Sequence, residues 1–153
     1  ASGQLTDLRA DRASTVGDQV GATLHLLFPA LPLAGLEQAS QWTDTTRRSL
    51  KVDAFDATET AVTTYRATGA DGRAITIESR TTFERTGKGG AATQPMEMTA
   101  GGARRGVYRF GRNGGVLTAE GSDSAEITIS VPAVGQTVPV SQRATWSIQS
   151  LAK

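Results

Sequence analysis

The sequence predicts a mainly β domain: a curved antiparallel sheet or open half-barrel of about eight strands, with one N-terminal helix packed over it. Three observations lead there. Short runs of alternating apolar and polar residues recur from residue 42 to near the C-terminus, with turn residues between them. Helical spacing occurs once, near the N-terminus. The repeated crossover helices that parallel strands need are missing, so the strands must pair antiparallel.

Residues 1–13 are polar and charged without a lasting period and read as a flexible lead-in to a single β-rich domain over 14–153. In 14–28, Val16, Val20, Leu24, Leu27 and Phe28 recur at steps of three and four, Ser14 sits at an N-cap position and Pro29 at a stop. This spacing predicts one amphipathic helix. Residues 29–41, which open with "PALPLAG", form a proline-broken linker, and strands are expected from 42 onward.

The first of these is the Thr-rich run 42–52, followed by "AVTTYRAT" (61–68) with Tyr65. Asp71 and Gly72 mark a hairpin turn. Ile75, Ile77, Ser79, Thr81 and Phe83 then alternate with Thr76, Glu78, Arg80, Thr82 and Glu84, so one face is buried and the other wet. "TGKGGAAT" reads as a glycine-rich loop, and Pro95 in "QPMEMTA" as the mark of an edge strand or a strand start. The strand 104–110 places Tyr108 and Phe110 on one face and Val107 on the other. Asn113-Gly114 signals a hairpin into 116–120, and Ile127, Ile129 and Val131 alternate in the next strand. In the last strand, 138–151, Val140, Ala144, Trp146 and Ile148 share one face.

With 153 residues the chain can bury roughly 70% of the surface its unfolded form exposes. A net charge of +1, from 16 basic and 15 acidic residues, builds no field to gather nucleic acid or anionic lipid. The absence of cysteine excludes disulfides, thiolate metal sites and thiol nucleophiles. The apolar run 24–36 is too short and too proline-broken to be a transmembrane segment. Basic charge carried by Arg, in a background of Thr, Ala and Gly, resembles exported proteins of high-GC bacteria.

Catalytic constellations are weak. His25, the single histidine, could serve as a base or a metal ligand, but its setting in the apolar run favours a helix histidine packed at the sheet margin. No "GxSxG"-type elbow presents a serine to it. Asp53, Asp56 and Glu59 in "DAFDATE" read as a solvated acidic loop rather than a cation site. "TGKGG" lacks the frame and the following Ser or Thr of a phosphate loop. Arg104, Arg105, Arg109 and Arg112 form a basic patch read as surface charge rather than as a nucleic-acid platform. No clean strand offers two carboxylates on one face, so neither metal nor catalytic residues, and no cofactor, are expected.

What remains is the apolar face. Phe83, Tyr108, Phe110 and Trp146, with Trp42 and Tyr65, are spread one or two per strand, as in the lining of a curved sheet. Together with Leu27 and Phe28 of the helix they are the candidate ligand-binding residues. They line either a cavity partly open to an apolar or amphipathic ligand or a fully packed core plugged by the helix.

A helix leading into "LFPALP", then "QWTDTT", then antiparallel strands ending in "VPVSQRATWSIQSL" resembles exported β-domains of bacterial cell envelopes. Their architecture is similar to that of the lipoprotein-carrier and lipoprotein-receptor half-barrels of the periplasm, although the carriers use several lid helices where this chain shows one. The resemblance spans most of 14–151 and transfers no site residue. It implies a secreted, periplasmic or cell-envelope location. The functional expectation is a non-enzymatic binding domain holding an apolar or amphipathic ligand or a peptide on the concave sheet face. The alternative is a structural or interaction module with a packed interior, engaging a protein partner through the strand edges near 94–99 and the C-terminal strand.

Overall fold

A computed structural model of the chain, which describes residues 41–52, 54–111 and 115–150, shows one antiparallel sheet of six strands. The strands are β1 (Gln41–Val52), β2 (Phe55–Ala70), β3 (Ala74–Ala91), β4 (Gln94–Gly111), β5 (Val116–Val131) and β6 (Gln136–Gln149). They lie side by side in sequence order, each paired with the next, and β1 and β6 are not paired with each other. The sheet is therefore open. The expected helix 14–28, the lead-in and nearly all of the linker lie outside the described residues, as do Leu27, Phe28 and His25; Gln41 already belongs to β1.

The expected count of about eight strands is corrected to six among the described residues, because two expected breaks are continuous strand. "AGGA" at 100–103 joins two runs into β4, with Gly101 opposite Glu84 and Gly102 opposite Phe83. "GSDSA" at 121–125 likewise joins two runs into β5, pairing throughout with β4 and β6. Small residues in series suggest turns, yet here they admit large cross-strand neighbours. Phe83 is the clearest case: a Cβ at Gly102 would lie 2.6 Å from its Cζ.

Two further readings change for related reasons. From Phe55 onward "DAFDATE" is strand rather than loop, since Phe55 opens β2, and Asp53 lies outside the described residues. Phe55, Ala57, Glu59 and Ala61 are buried on one face, while Asp56 is exposed on the other. "TGKGGAAT" is mostly β3, which runs to Ala91 and leaves Ala92 and Thr93 as the turn before Gln94. Gly90 adopts φ 84° there, a left-handed conformation suited to glycine. Pro95 marks a strand start, as one of its two readings has it, and β4 is interior rather than an edge.

The turn at Asp71 forms as its residues suggest. Asp71 Oδ1 accepts hydrogen bonds from the backbone N–H groups of Arg73 and Ala74, both at 2.7 Å, and the Asp71 N–H donates to the Ala74 carbonyl. Those two N–H groups hold the exposed Asp71 carboxyl below its ordinary pKa, helped by the Arg109 guanidinium. The β5–β6 connection is a 3-10 turn, Pro132–Val134, closed by Gly135 at φ 63°.

Alternation divides the sheet cleanly. Thr43, Arg47, Thr60, Arg66, Glu78, Arg80, Glu84, Arg105 and Glu126 lie on one face, whereas Phe55, Tyr65, Ile77, Phe83, Met98, Tyr108 and Phe110 are buried on the other. Burial is deepest on β2, β3 and β4 and fades toward β6, where Val138 is 51% and Val140 40% exposed. Among the described residues no helix is long and apolar enough to cross a membrane.

Candidate functional site

The apolar face carries three zones along the strand direction. At one end, Tyr65, Ile77, Tyr108, Phe110 and Ala119 form a buried cluster, with Trp42, Ile75, Val116 and Trp146 packed around it. At the other end, Phe55, Ala57 and Met98 are flanked by Leu50, Val52, Met96, Ile127 and Ile129. Between the two lies a belt of charge.

The aromatic end brings together five of the expected ligand-binding residues. Trp42 of β1 stacks on Tyr65 of β2 with ring centroids 5.2 Å apart. Tyr108 lies 6.2 Å from Phe110 and 6.1 Å from Trp146 of β6, so the rings span the sheet. Burial raises the Tyr108 hydroxyl above its ordinary pKa against a lowering hydrogen bond with Ser79, and the Asp123 charge adds to the rise. Phe83, the sixth described candidate, stands apart from this cluster in the charged belt.

Glu59 is the centre of that belt. Its side chain is 1% exposed, and it receives five hydrogen bonds from three arginines. Arg48 of β1 donates to Oε1 from Nε at 3.1 Å and Nη2 at 2.7 Å. Arg85 of β3 donates to Oε2 at 2.7 Å. Arg104 of β4 grips both oxygens, at 3.0 and 2.6 Å, in the two-pronged fashion that makes guanidinium–carboxylate pairs strong.

Register explains the assembly. Arg48 and Arg85 sit directly across from Glu59 on its two neighbouring strands, whereas Arg104 is a strand further away, opposite Thr81. To reach Glu59 its guanidinium crosses the Phe83 ring, 4.0 Å from the centroid, and Arg85 approaches the same ring at 5.5 Å. Gly102 and Ala61, paired with Phe83 on either side, leave that ring room to lie flat beneath the two cations.

Burial alone would raise the Glu59 carboxyl. Hydrogen bonds from Arg104 and Arg85, with the charges of Arg104 and Arg48, outweigh it and hold the pKa at about 2 against an ordinary 4.5. Asp123 of β5, directly across from Arg104, behaves oppositely: burial and the Glu59 charge raise it, while Arg104 and Arg85 pull it down only in part. Its Oδ1 lies 3.1 Å from Arg104 Nε, an ion-pair contact whose angle makes no hydrogen bond. Arg85 Nε, Arg104 Nε and Asp123 Oδ1 are thus buried without a hydrogen-bond partner.

Sequence reasoning places none of Glu59, Arg48, Arg85 and Asp123 at the site, and it assigns Arg104 to surface charge. Arg105 and Arg109 of that expected patch are indeed exposed, and Arg112 lies outside the described residues. Glu59 of β2 and Asp123 of β5, on separate strands, lie on the same face of the sheet and both flank Arg104. The signal is parity: Glu59 is in phase with Phe55 and Ala61, Arg85 with Phe83, and Arg104 with Tyr108 and Phe110. Among the described residues no group of three or more His, Asp or Glu side chains is placed to hold a metal ion. Neither a scan of protein-family models nor searches of curated proteins and solved structures find a match to this chain.

Proposed function

We propose that the chain is a non-enzymatic binding domain of an exported or cell-envelope protein. It holds an apolar or amphipathic ligand, or a peptide, against the apolar face of a half-barrel-like sheet. The observation that supports this most is the gradient along that face: sealed on β2–β4, it stays exposed at Val138, Val140 and Ile148 of β6. Exposed apolar side chains that share a face with a buried aromatic cluster offer a ligand a continuous surface to cover. Glu59 suits binding better than proton transfer, because a carboxyl held at about 2 by three arginines is a poor acid or base near neutral pH.

Native mass spectrometry of gently purified protein, before and after denaturation, tests the reading. A small apolar molecule that appears only on unfolding supports it. A clean apo mass, with no uptake of added lipid, sinks it. The second reading, an interaction module, draws support from the same β6, an edge strand with exposed valines. Concentration-dependent self-association abolished by Ser141→Pro is its expected signature.

A further inference from the structure

We propose that β6 is a strand-addition edge: between Ser141 and Gln149 it takes an extended segment of another protein, one that alternates apolar and polar residues and sets a carboxylate across from Arg143. This deepens the interaction reading of β6 and rests on it, and it names a foreign strand rather than a second copy as the partner.

Backbone direction carries the inference. The Ser150 N–H donates to the Leu117 carbonyl at 2.9 Å, and the β5–β6 register runs unbroken from Thr118 opposite Gln149 to Val131 opposite Gln136. Consecutive residues of an antiparallel ladder turn their N–H and C=O groups to opposite sides. The even-numbered residues of β6 therefore bond to β5, and the odd-numbered ones, from Thr137 to Gln149, turn theirs to the open side. Pro139 falls on that side, where its missing N–H breaks no bond of the sheet and closes that end of the edge to a partner. Beyond it Ser141, Arg143, Thr145, Ser147 and Gln149 offer their backbone groups in a row, with no proline and a single charged side chain. β1, the other edge, carries four charged side chains, Asp44, Arg47, Arg48 and Lys51, in its twelve residues. Charge is one way an edge is kept from pairing, so β6 is the edge left open.

Side chains define the partner. Ala144, Trp146 and Ile148 lie along this run on the apolar face, which the added segment continues with apolar residues of its own. On the polar face Arg143 sits opposite Ser124 of β5 and has no ion pair among the described residues; Glu126, opposite Ser141, accepts from the Ser141 hydroxyl instead. Neither edge of a second copy brings a carboxylate to Arg143. β6 contains no acidic residue, and the polar face of β1 presents Arg47 and Lys51, while Asp44 is in phase with Trp42 on the apolar face. A foreign strand with Asp or Glu at that position makes a favourable cross-strand pair, whereas like charges placed there repel.

Three acetylated and amidated peptides serve as probes: Ser-Val-Thr-Val-Glu-Val-Thr-Val-Ser, the same sequence with Lys for Glu, and the same sequence with Pro for both Thr. Binding is read by tryptophan fluorescence and by amide hydrogen exchange. The Glu peptide is expected to bind about five-fold tighter than the Lys peptide, and the Pro peptide not at all. On binding, protection should rise most at the amides of Ser141, Arg143, Thr145, Ser147 and Gln149, an alternation that a general stabilisation of β6 does not produce. Arg143→Glu should turn the preference toward the Lys peptide, and Thr145→Pro, which breaks no bond to β5, should abolish binding. If Thr145→Pro does not fold, the charge reversal carries the test. Equal binding of the Glu and Lys peptides, or a Glu preference that survives Arg143→Glu, overturns the carboxylate-bearing partner. Protection gained chiefly at the even-numbered amides overturns the edge assignment. Failure of all three peptides together with concentration-dependent self-association overturns the foreign strand and leaves the interaction reading standing, and failure of all three with a monomer overturns both.

Discussion

Glu59 concentrates the energetics of single residues in this protein. Removing one partner of a buried ion cluster strands the others, and Glu59→Gln takes away the carboxylate that three cations share, leaving Asp123 beside Arg104 alone. A loss of about 3–5 kcal/mol in urea denaturation at neutral pH is expected. The pH dependence follows from the lowered pKa. Its stabilisation is complete above the ordinary 4.5 and is lost as pH falls through about 2. Asp123, raised in the fold, has the opposite sign: its share is present below the ordinary carboxylate value, is lost as pH rises, and so offsets part of the acid limb. Wild type should therefore weaken between pH 4.5 and 2 along a slope that Glu59→Gln lacks; parallel curves for the two would refute the assignment. Gly102 is the second sensitive position. A Cβ there meets the Ser124 carbonyl and comes within 2.6 Å of Phe83 Cζ, on a ring already overlaid by Arg104. Gly102→Ala should cost about 1–3 kcal/mol, read in the same denaturation experiment.

Turns and strands show what a local pattern can and cannot reveal. Gly90 at φ 84° faces the Gln94 carbonyl and lies 3.1 Å, by its would-be Cβ, from Met96 N, so Gly90→Ala should lower stability by about 1–2 kcal/mol. Gly72, in the turn before β3, has open space around it and no left-handed φ, and Gly72→Ala should be neutral or slightly stabilising. Equal melting temperatures for the two variants would show that the β3–β4 turn tolerates rearrangement. The same glycines explain which elements are legible in the sequence. Alternation identifies stretches of β3, β4, β5 and β6, most cleanly in β3, where one face is buried and the other wet. It fails at Gly87, Gly101, Gly102 and Gly121, where glycine faces Met98 or an aromatic ring, or continues a ladder, instead of turning the chain. Glu59 escapes the pattern for a related reason. A carboxylate looks solvated until three arginines from three other strands are seen converging on it, and cross-strand register is not written in any one segment.

Across the whole sheet, the two edges are not equivalent. β1 is tied to its neighbour by the Trp42–Tyr65 stack and by Arg48 on the buried Glu59. β6 contributes no fully buried side chain, Trp146 is its only half-buried residue, and its apolar positions stay exposed at the margin of the apolar face. β2, β3 and β4, flanked on both sides, carry the deepest burial, at Glu59, Ile77 and Met98. Local stability tracks buried contacts, so amide protection should grade across the molecule rather than mirror from edge to edge. In native-state hydrogen exchange, β3 and β4 are expected to exchange only through global unfolding, β1 close behind, and β6 through a separate opening of much lower free energy. Matched protection of β1 and β6 would contradict this picture. A bound amphiphile that covers Val138 and Val140 should raise β6 protection selectively, because a ligand stabilises most the part of the structure that must be closed to hold it.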